Sequence, residues 1–357
     1  LTPTDYHTLY GIFSKMVTSI REEAFSPCIA YTGTRPVEYA AVPLTMYGSG
    51  ADHLESYTSM SALLEHFYAE KNTLTRIRQK SSDLRRIVQT ALERDIKKYD
   101  LQLAQMKDTE KREKYRIYGE LLNTYGYSAK PGDRSLTAVN YYTNEPVTIP
   151  LDPTLSATEN AKKYFDKYGK LKRTYEALSE LTCQVKAEID HLETISTALD
   201  IALKEEDLVE IKEELTQSGY IRRKGGTKKA KITSRPFHYL SSDGFHIYVG
   251  KNNFQNDELT FKFATGNDWW FHAKGIPGSH VVVKTEGKEL PDRTFEEAGR
   301  LAAYYSKGRE QEKVEIDYVQ KKQVKKPAGA KPGFVVYYTN YSLMIDSDIS
   351  GIEKISD

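Results

Sequence analysis

The chain has 357 residues, 39% of them hydrophobic and 28% charged, with 51 Lys and Arg against 50 Asp and Glu for a net charge of +1. That composition excludes a disordered or membrane-embedded chain, and the length asks for two or three compact units. No run of about 18 apolar residues occurs, the start lacks the basic-then-apolar plan of a secretory signal, and Cys28 and Cys183 are too few for a disulfide framework or a cysteine zinc site.

From Leu1 to about Tyr57 a short helical pattern (Tyr6, Leu9, Tyr10, Phe13, Met16, Val17, Ile20) precedes a strand-like stretch at 26–31 and an apolar run at 40–44. This is thin for a domain and, starting at Leu1 without Met, reads as the tail of a globular unit. From about Ser59 the composition turns to Lys, Arg, Glu, Leu and Gln, with no Gly or Pro before Gly119, the profile of one long helix. Its apolar seam is expected at Val88, Leu92, Ile96, Tyr99, Leu103 and Met106. Between the helices, Gly126, Pro131-Gly132 and Pro150 punctuate alternating stretches at 137–142 and 147–149, around an Asn144-Glu145 turn, and predict a small β-containing tip.

A second long helix is expected from about Ser156 to Glu206, with Ser156 or Thr158 as N-cap. Its seam is cleaner: Tyr164, Tyr168, Leu171, Tyr175, Leu178, Thr182, Val185, Ile189, Leu192, Ser196, Leu199 and Leu203. Cys183 is assigned to that seam and expected to be buried. Helices this long reach about 70 to 90 Å, which predicts an antiparallel coiled-coil arm. The arm ends near Gly219, and 222–231 has the composition of a basic hinge.

From about Pro236 a second globular unit is expected, with strands at 237–240, 245–249, 259–264, 269–273, 279–284, 314–318 and 334–338 and one helix at 294–307. That order predicts an α+β domain with a mostly antiparallel sheet. No nucleophile elbow, P-loop, dinucleotide fingerprint or metalloprotease helix occurs, so no catalytic residue and no cofactor is assigned. His238, His246, His272 and His280 have no Cys and no tight carboxylate set beside them, so structural or RNA-contacting roles are expected in place of a metal site.

The densest segment is 266–281. Its Gly275-Ile276-Pro277-Gly278 turn, with His272, Lys274 and His280 nearby, suits a phosphate held by backbone N–H groups; an ordinary strand-turn-strand with a Trp in the core suits the same residues. Basic residues favour the first: Lys321, Lys322, Lys325, Lys326 and Lys331 come with no acid among them, and 222–235 is also free of acids. Two such clusters around one unit of a nearly neutral chain imply a polyanion, because Lys and Arg gain affinity by releasing phosphate counterions. Phe254, Trp270, Tyr337, Tyr338 and Tyr341 offer base-stacking surfaces, though aromatics in strands are more often core.

The runs Ser242-Asp243-Gly244-Phe245-His246, Gly250-Lys251-Asn252-Asn253, Asp268-Trp269-Trp270-Phe271-His272, Ile276-Pro277-Gly278-Ser279-His280 and Lys325-Lys326-Pro327-Ala328-Gly329 stand in an order that resembles the NFACT-R domain of the bacterial RqcH family, also described as fibronectin-binding proteins of the FbpA and PavA type. Ile149-Pro150-Leu151-Asp152-Pro153 and Glu159-Asn160-Ala161 are similar to the family's middle segment. The resemblance implies a remnant of the NFACT-N and helical region at 1–58, coiled-coil helices at 59–124 and 156–218, a middle tip at 125–155, a basic hinge at 219–235 and NFACT-R at 236–357. It also places most of NFACT-N, with an Asp-Arg pair needed for tail synthesis, ahead of Leu1; Asp133-Arg134 and Asp292-Arg293 stand in other contexts and do not take that role.

What the resemblance implies is cytoplasmic ribosome-associated quality control. Such a factor binds the large ribosomal subunit with peptidyl-tRNA and recruits alanine tRNA for C-terminal alanine tailing, while the ribosome makes the peptide bonds. The competing implication is a surface adhesin for fibronectin or fibrinogen. Candidate RNA contacts are Arg222, Arg223, Lys224, Lys228, Lys229, Asn252, Asn253, Trp270, His272, Lys274, Pro277, Gly278, Ser279, His280, Lys307, Lys321, Lys322, Lys325 and Lys326.

Overall fold

The computed structural model describes residues 3–32, 35–44, 46–47, 52–222 and 233–356. It divides into two compact units, Leu1–Val88 with Glu193–Asp357, and Gln89–Leu192. Helix α1 (Pro3–Arg21) carries the expected apolar residues, and Tyr6, Leu9, Tyr10 and Phe13 are exposed. Strand β1 (Cys28–Thr32) pairs antiparallel with β2 (Arg35–Ala40) and β3 (Asp52–Ser56). The run at 40–44 leaves the sheet after Ala40, where Pro43 has no N–H for a ladder bond. Ile29 and Tyr31 pack with Leu63 and Phe67 from the start of α2 (Met60–Asp108), which Ser59 caps through the Ala62 amide at 3.2 Å.

The 49-residue α2 buries Ile77, Ser81, Leu84, Val88, Ala91, Asp95 and Gln102, a heptad stripe that shares only Val88 with the expected seam, and Thr109 in the turn after it continues the stripe. Ile96 and Leu103 are both 42% exposed. The single helix expected to continue to Gly119 stops at Asp108: a 3-10 turn intervenes, and α3 (Arg112–Tyr125) follows. Thr109 Oγ1 donates to the Met106 carbonyl at 2.6 Å, a local bond that competes with regular helix.

Strands β4 (Ser135–Asn140) and β5 (Glu145–Pro150) form the hairpin the alternation predicts, with Asn144 at φ 55 in its turn. Ile149 packs with Tyr118, Leu121, Leu122, Ala161 and Tyr164. Helix α4 (Ala157–Ile201) opens with a capping box in which the Glu159 amide donates to Ser156 Oγ and the Ser156 amide to the Glu159 carboxylate. Its seam from Tyr164 to Leu192 is buried or half-buried, as the heptad predicts. Cys183 is exposed, a correction, because the adjacent Thr182 holds the seam position and donates to Met106 Sδ at 3.5 Å. Arg112 lies 4.0 Å over the Tyr175 ring, and Tyr118 meets Tyr164 at 5.3 Å, so α2–α3 and α4 run antiparallel in this unit. The chain breaks again after Ile201, where Asp207 accepts the Leu203 and Lys204 amides at 3.0 Å and starts α5 (Glu205–Gln217).

The last region is α+β. Strands β6 (Phe237–Leu240) and β7 (His246–Val249) form a hairpin, followed by α6 (Asn253–Glu258) and a π-helical turn at Leu259–Phe263. That helical stretch corrects the strand expected at 259–264. Asn252 caps it by accepting the Gln255 amide at 3.0 Å, and Leu259 and Ala264 bury against the sheet at non-alternating spacing. Then come β8 (Trp269–Ala273), β9 (Val281–Val283), α7 (Asp292–Tyr304), β10 (Val314–Gln320), the short β11 (Val324–Lys325) and β12 (Val336–Tyr337), β13 (Tyr341–Ile345) and β14 (Glu353–Ser356). The seven-stranded antiparallel sheet has the order β13-β10-β8-β9-β7-β6-β14. One face packs Phe237, Phe271, Val281 and Ile316 against Ala298, Leu301 and Ala302 of α7. The other packs Trp270, Val282 and Val319 against Leu259 and Val324. Among the described residues, no helix is long and apolar enough to cross a membrane.

Candidate nucleic-acid interface

The basic residues at the end of β10 are held by backbone. The Lys321 amide donates to Asp268 O at 2.8 Å and the Lys322 amide to Gly266 O at 3.1 Å, fixing the turn into β11. Lys321 lies 5.8 Å over the Phe261 ring, while Lys322 and Lys325 are exposed. The loop beyond is pinned to α6: Asp257 pairs with Lys326 and accepts the Gly333 amide at 3.0 Å. Gly333 has φ 78, and a Cβ there would meet Asn253 Oδ1 at 2.4 Å, so this turn requires glycine. Asp268 anchors the same corner. Burial pushes its carboxyl up, but Lys284 and the Thr265 and Thr285 amides outweigh burial and hold it below the usual range.

Several residues proposed from sequence lie inside the fold, not on it. Trp270 is fully buried and His280 is 1% exposed, so neither presents a face to RNA. His280 Nδ1 lies 2.7 Å from Thr260 Oγ1, its amide donates to Asn256 Oδ1 at 3.0 Å, and its ring meets Trp270 edge-on at 5.0 Å. Desolvation lowers its pKa well below the imidazole value, with neighbouring His272 adding to the effect. Part of His272 reaches the surface, yet burial brings it down to about 4. The end of the turn at 275–278 is zipped to the chain after α7. The Ser279 amide donates to Tyr305 O and the Lys307 amide to Pro277 O, both at 2.9 Å, and a Cβ on Gly278 would meet Ser306 at 3.0 Å.

Asn252 and Asn253 are likewise buried, and they hold α5. Asn252 Nδ2 and Gln255 Nε2 donate to Glu210 at 2.7 and 2.8 Å, and Asn253 Nδ2 donates to Glu214 at 2.7 Å. Lys251, 2% exposed, pairs with Asp207 at 3.2 Å. Burial raises the pKa of Glu210, and it pushes Glu214 up to about 7 with Glu210 and Asp257 adding their repulsion. Sequence reasoning missed these three acids. Their signal was acidic residues at i, i+3 and i+7 on one face of a short amphipathic helix.

Among the remaining candidates, Lys274 is exposed but paired with Glu315 at 2.6 Å, and Lys307 with Glu193 at 3.2 Å. Pro277 and Gly278 are half-buried, and Arg222 is exposed beyond α5. Arg223, Lys224, Lys228 and Lys229 lie outside the described residues. Of the aromatic candidates, Phe254 and Tyr337 are half-buried, with Tyr337 bound to Asp317 at 2.8 Å, whereas Tyr338 and Tyr341 are exposed. The structure thus gathers Lys321, Lys322 and Lys325 at one corner of the sheet and assigns the buried candidates to packing.

A two-faced antiparallel sheet with a basic corner, joined in one chain to an antiparallel helical arm, defines the class of this protein. Residues 1–234 match the model of the NFACT N-terminal and middle domains, and residues 235–338 match the NFACT protein RNA binding domain. The chain belongs to the NFACT family. It is similar to the Rqc2 homolog RqcH of Streptococcus pneumoniae, at 39% identity over 332 residues that cover 92% of this chain and 58% of that relative. The Rqc2 homolog RqcH of Bacillus subtilis is 34% identical over 98% of this chain and 61% of its own length. The chain therefore spans about three fifths of the length of these curated relatives. A solved structure of the C-terminal part of the fibronectin/fibrinogen-binding protein from Streptococcus suis aligns with TM-score 0.63 and 36% identity, covering 78% of this chain and 99% of that one.

Proposed function

We propose that this chain acts in ribosome-associated quality control, as a non-catalytic cytoplasmic factor that binds the large ribosomal subunit with peptidyl-tRNA. On this reading it recruits alanine tRNA for C-terminal alanine tailing, and the ribosome makes the bonds. The observation that carries the reading is the similarity to RqcH proteins over nearly the whole chain. The exposed Lys322 and Lys325 supply what such a role needs, cations free to displace phosphate counterions. Within this reading, 59–124 and 156–218 form the arm, 125–155 its tip, and 236–357 faces RNA, with 1–58 belonging to the N-terminal region and 219–235 a basic hinge. The adhesin reading has in its favour only the name of the Streptococcus suis protein and is not adopted.

The test is binding of the 357-residue chain to purified bacterial large ribosomal subunits across a salt series, with immobilised fibronectin in parallel. Subunit binding that weakens steeply with salt, without fibronectin binding, is expected. Fibronectin binding without subunit binding would overturn the proposal.

A further inference from the structure

We infer that the outward face of the β11–β12 ribbon, where Phe334 and Tyr338 stand on either side of Lys325, is the surface on which this chain takes unpaired RNA. The inference rests on the RNA-binding reading and names both the form of RNA and the face that meets it. Register fixes the two faces of the ribbon. Lys325 is paired with Val336 and Val324 with Tyr337, and directly paired residues share a face. The face of Val324 and Tyr337 is inward: Val324 is buried, Val335 and Tyr337 pack with Trp270, Val282 and Val319, and the Tyr337 hydroxyl donates to Asp317 at 2.8 Å. The face of Lys325 and Val336 is therefore outward, and Phe334 and Tyr338, two residues before and after Val336, belong to it. Their exposure agrees, at 54% for Phe334 and 67% for Tyr338, and Lys325 is exposed between them.

Diagonal neighbours across an antiparallel pair lie about 7–8 Å apart, so the Lys325 stem rises between the two rings and carries its ammonium to the phosphates that link bases stacked on them. The ribbon is anchored at both ends: the Gly333 amide donates to Asp257 at 3.0 Å, and Thr339, at φ 60, turns the chain away after Tyr338. The surroundings favour an anion. Residues 318–345 contain no acid, Asp257 is paired with Lys326, and the two Asp317 oxygens accept from Tyr337 and Ser342 at 2.8 and 2.6 Å. Burial would stabilise a Phe ring, yet the fold leaves Phe334 in water beside a cation. Both rings and Lys325 fall within residues 235–338, which the RNA-binding family model matches. Exposed rings need splayed bases, since a duplex keeps its base faces stacked. Tyr341 is exposed too, but it stands on the opposite face of the large sheet: it stacks on Tyr318 at 5.6 Å, and Tyr318 packs on Phe271 in the core beneath α7. It is the control that the fold itself supplies.

The test measures binding of the whole chain to fluorescein-labelled oligoadenylate of about a dozen nucleotides and to an RNA duplex of equal length. Phe334→Ala and Tyr338→Ala are each expected to weaken single-strand binding about ten-fold while leaving duplex affinity and the salt slope unchanged. Phe334→Tyr and Tyr338→Phe keep a ring and should bind as the unsubstituted chain does, whereas Phe334→Leu, apolar but without a ring face, should behave like Phe334→Ala. Tyr341→Ala, on the other face, should leave single-strand affinity unchanged. Affinity unchanged in the Phe334 and Tyr338 variants, lost equally for the duplex, or lost as much in Tyr341→Ala, overturns the ribbon surface and leaves the RNA-binding reading standing. A chain that binds neither RNA at low salt overturns both.

Discussion

His280 looks from sequence like a surface ligand beside a glycine turn, and the fold makes it a core residue. It is surrounded by Trp270, His272, Thr260 and Asn256, and its neutral ring is the form that burial favours. Replacing it with Ala removes a buried partner of Thr260 and leaves space, which is expected to cost about 1–3 kcal/mol in chemical denaturation. RNA affinity measured below the melting transition should stay within two-fold, on the order of the noise allowed by a role that never touches RNA. The pH dependence has a definite sign. The folded pKa values of His272, about 4, and of His280 lie below the unfolded value of 6.5, so their contribution is present above 6.5 and is lost as pH falls toward 4. His280→Ala should therefore show a shallower acid loss of stability over that interval than the parent chain.

At the scale of elements, α5 shows how a charged helix is held to an apolar domain. Its inner face carries Asp207, Glu210 and Glu214, met by Lys251, Asn252, Gln255 and Asn253. Glu214 is pushed up to about 7, against an ordinary 4.5, chiefly by burial, with the Asn253 hydrogen bond opposing and the Glu210 and Asp257 charges adding to the rise. A folded pKa above the unfolded one gives stability that is full below 4.5 and lost as pH rises through about 7. Glu214→Gln keeps an acceptor for Asn253 and never ionises, so it should be more stable than the parent at pH 8 by on the order of 1–3 kcal/mol and equal to it near pH 4. Equal stability at both pH values, read by urea denaturation, would remove the buried-acid account. The same elements show what a sequence discloses. The α4 seam was legible because its a and d letters, Thr182 and Ser196 apart, are apolar, and Ser156, one of the two N-caps expected, starts the helix. The α2 seam was not, because the helix buries Ser81, Asp95 and Gln102, whose polarity hides them from a pattern read by hydrophobicity. Arg94 reaches over Asp95 at 2.9 Å, a compensation invisible to periodicity. The stretch at 259–264 misled for the opposite reason: β-branched and aromatic letters sit in a helical turn that the Asn252 cap dictates.

For the molecule as a whole, a net charge of +1 means that long-range attraction to RNA is weak and affinity depends on which cations are free. Five lysines between 321 and 331 look equivalent in the sequence, but the fold ranks them. Lys326 is spent on Asp257, an ion pair that also fixes the loop carrying Gly333, while Lys322 and Lys325 are exposed. Lys322→Gln and Lys325→Gln should each reduce the slope of log affinity against log salt by about 0.7 to 0.9, the release expected for one phosphate contact. Lys326→Gln should change that slope much less, because a cation already neutralised by a carboxylate has no counterion exchange to offer. Asp257→Asn then supplies the decisive comparison: it frees Lys326 and should steepen the slope toward that of one added contact, provided a melting scan shows the Gly333 turn intact. Equal slopes for all four variants would mean that the corner does not meet phosphate, and that any RNA affinity of the chain arises elsewhere on its surface.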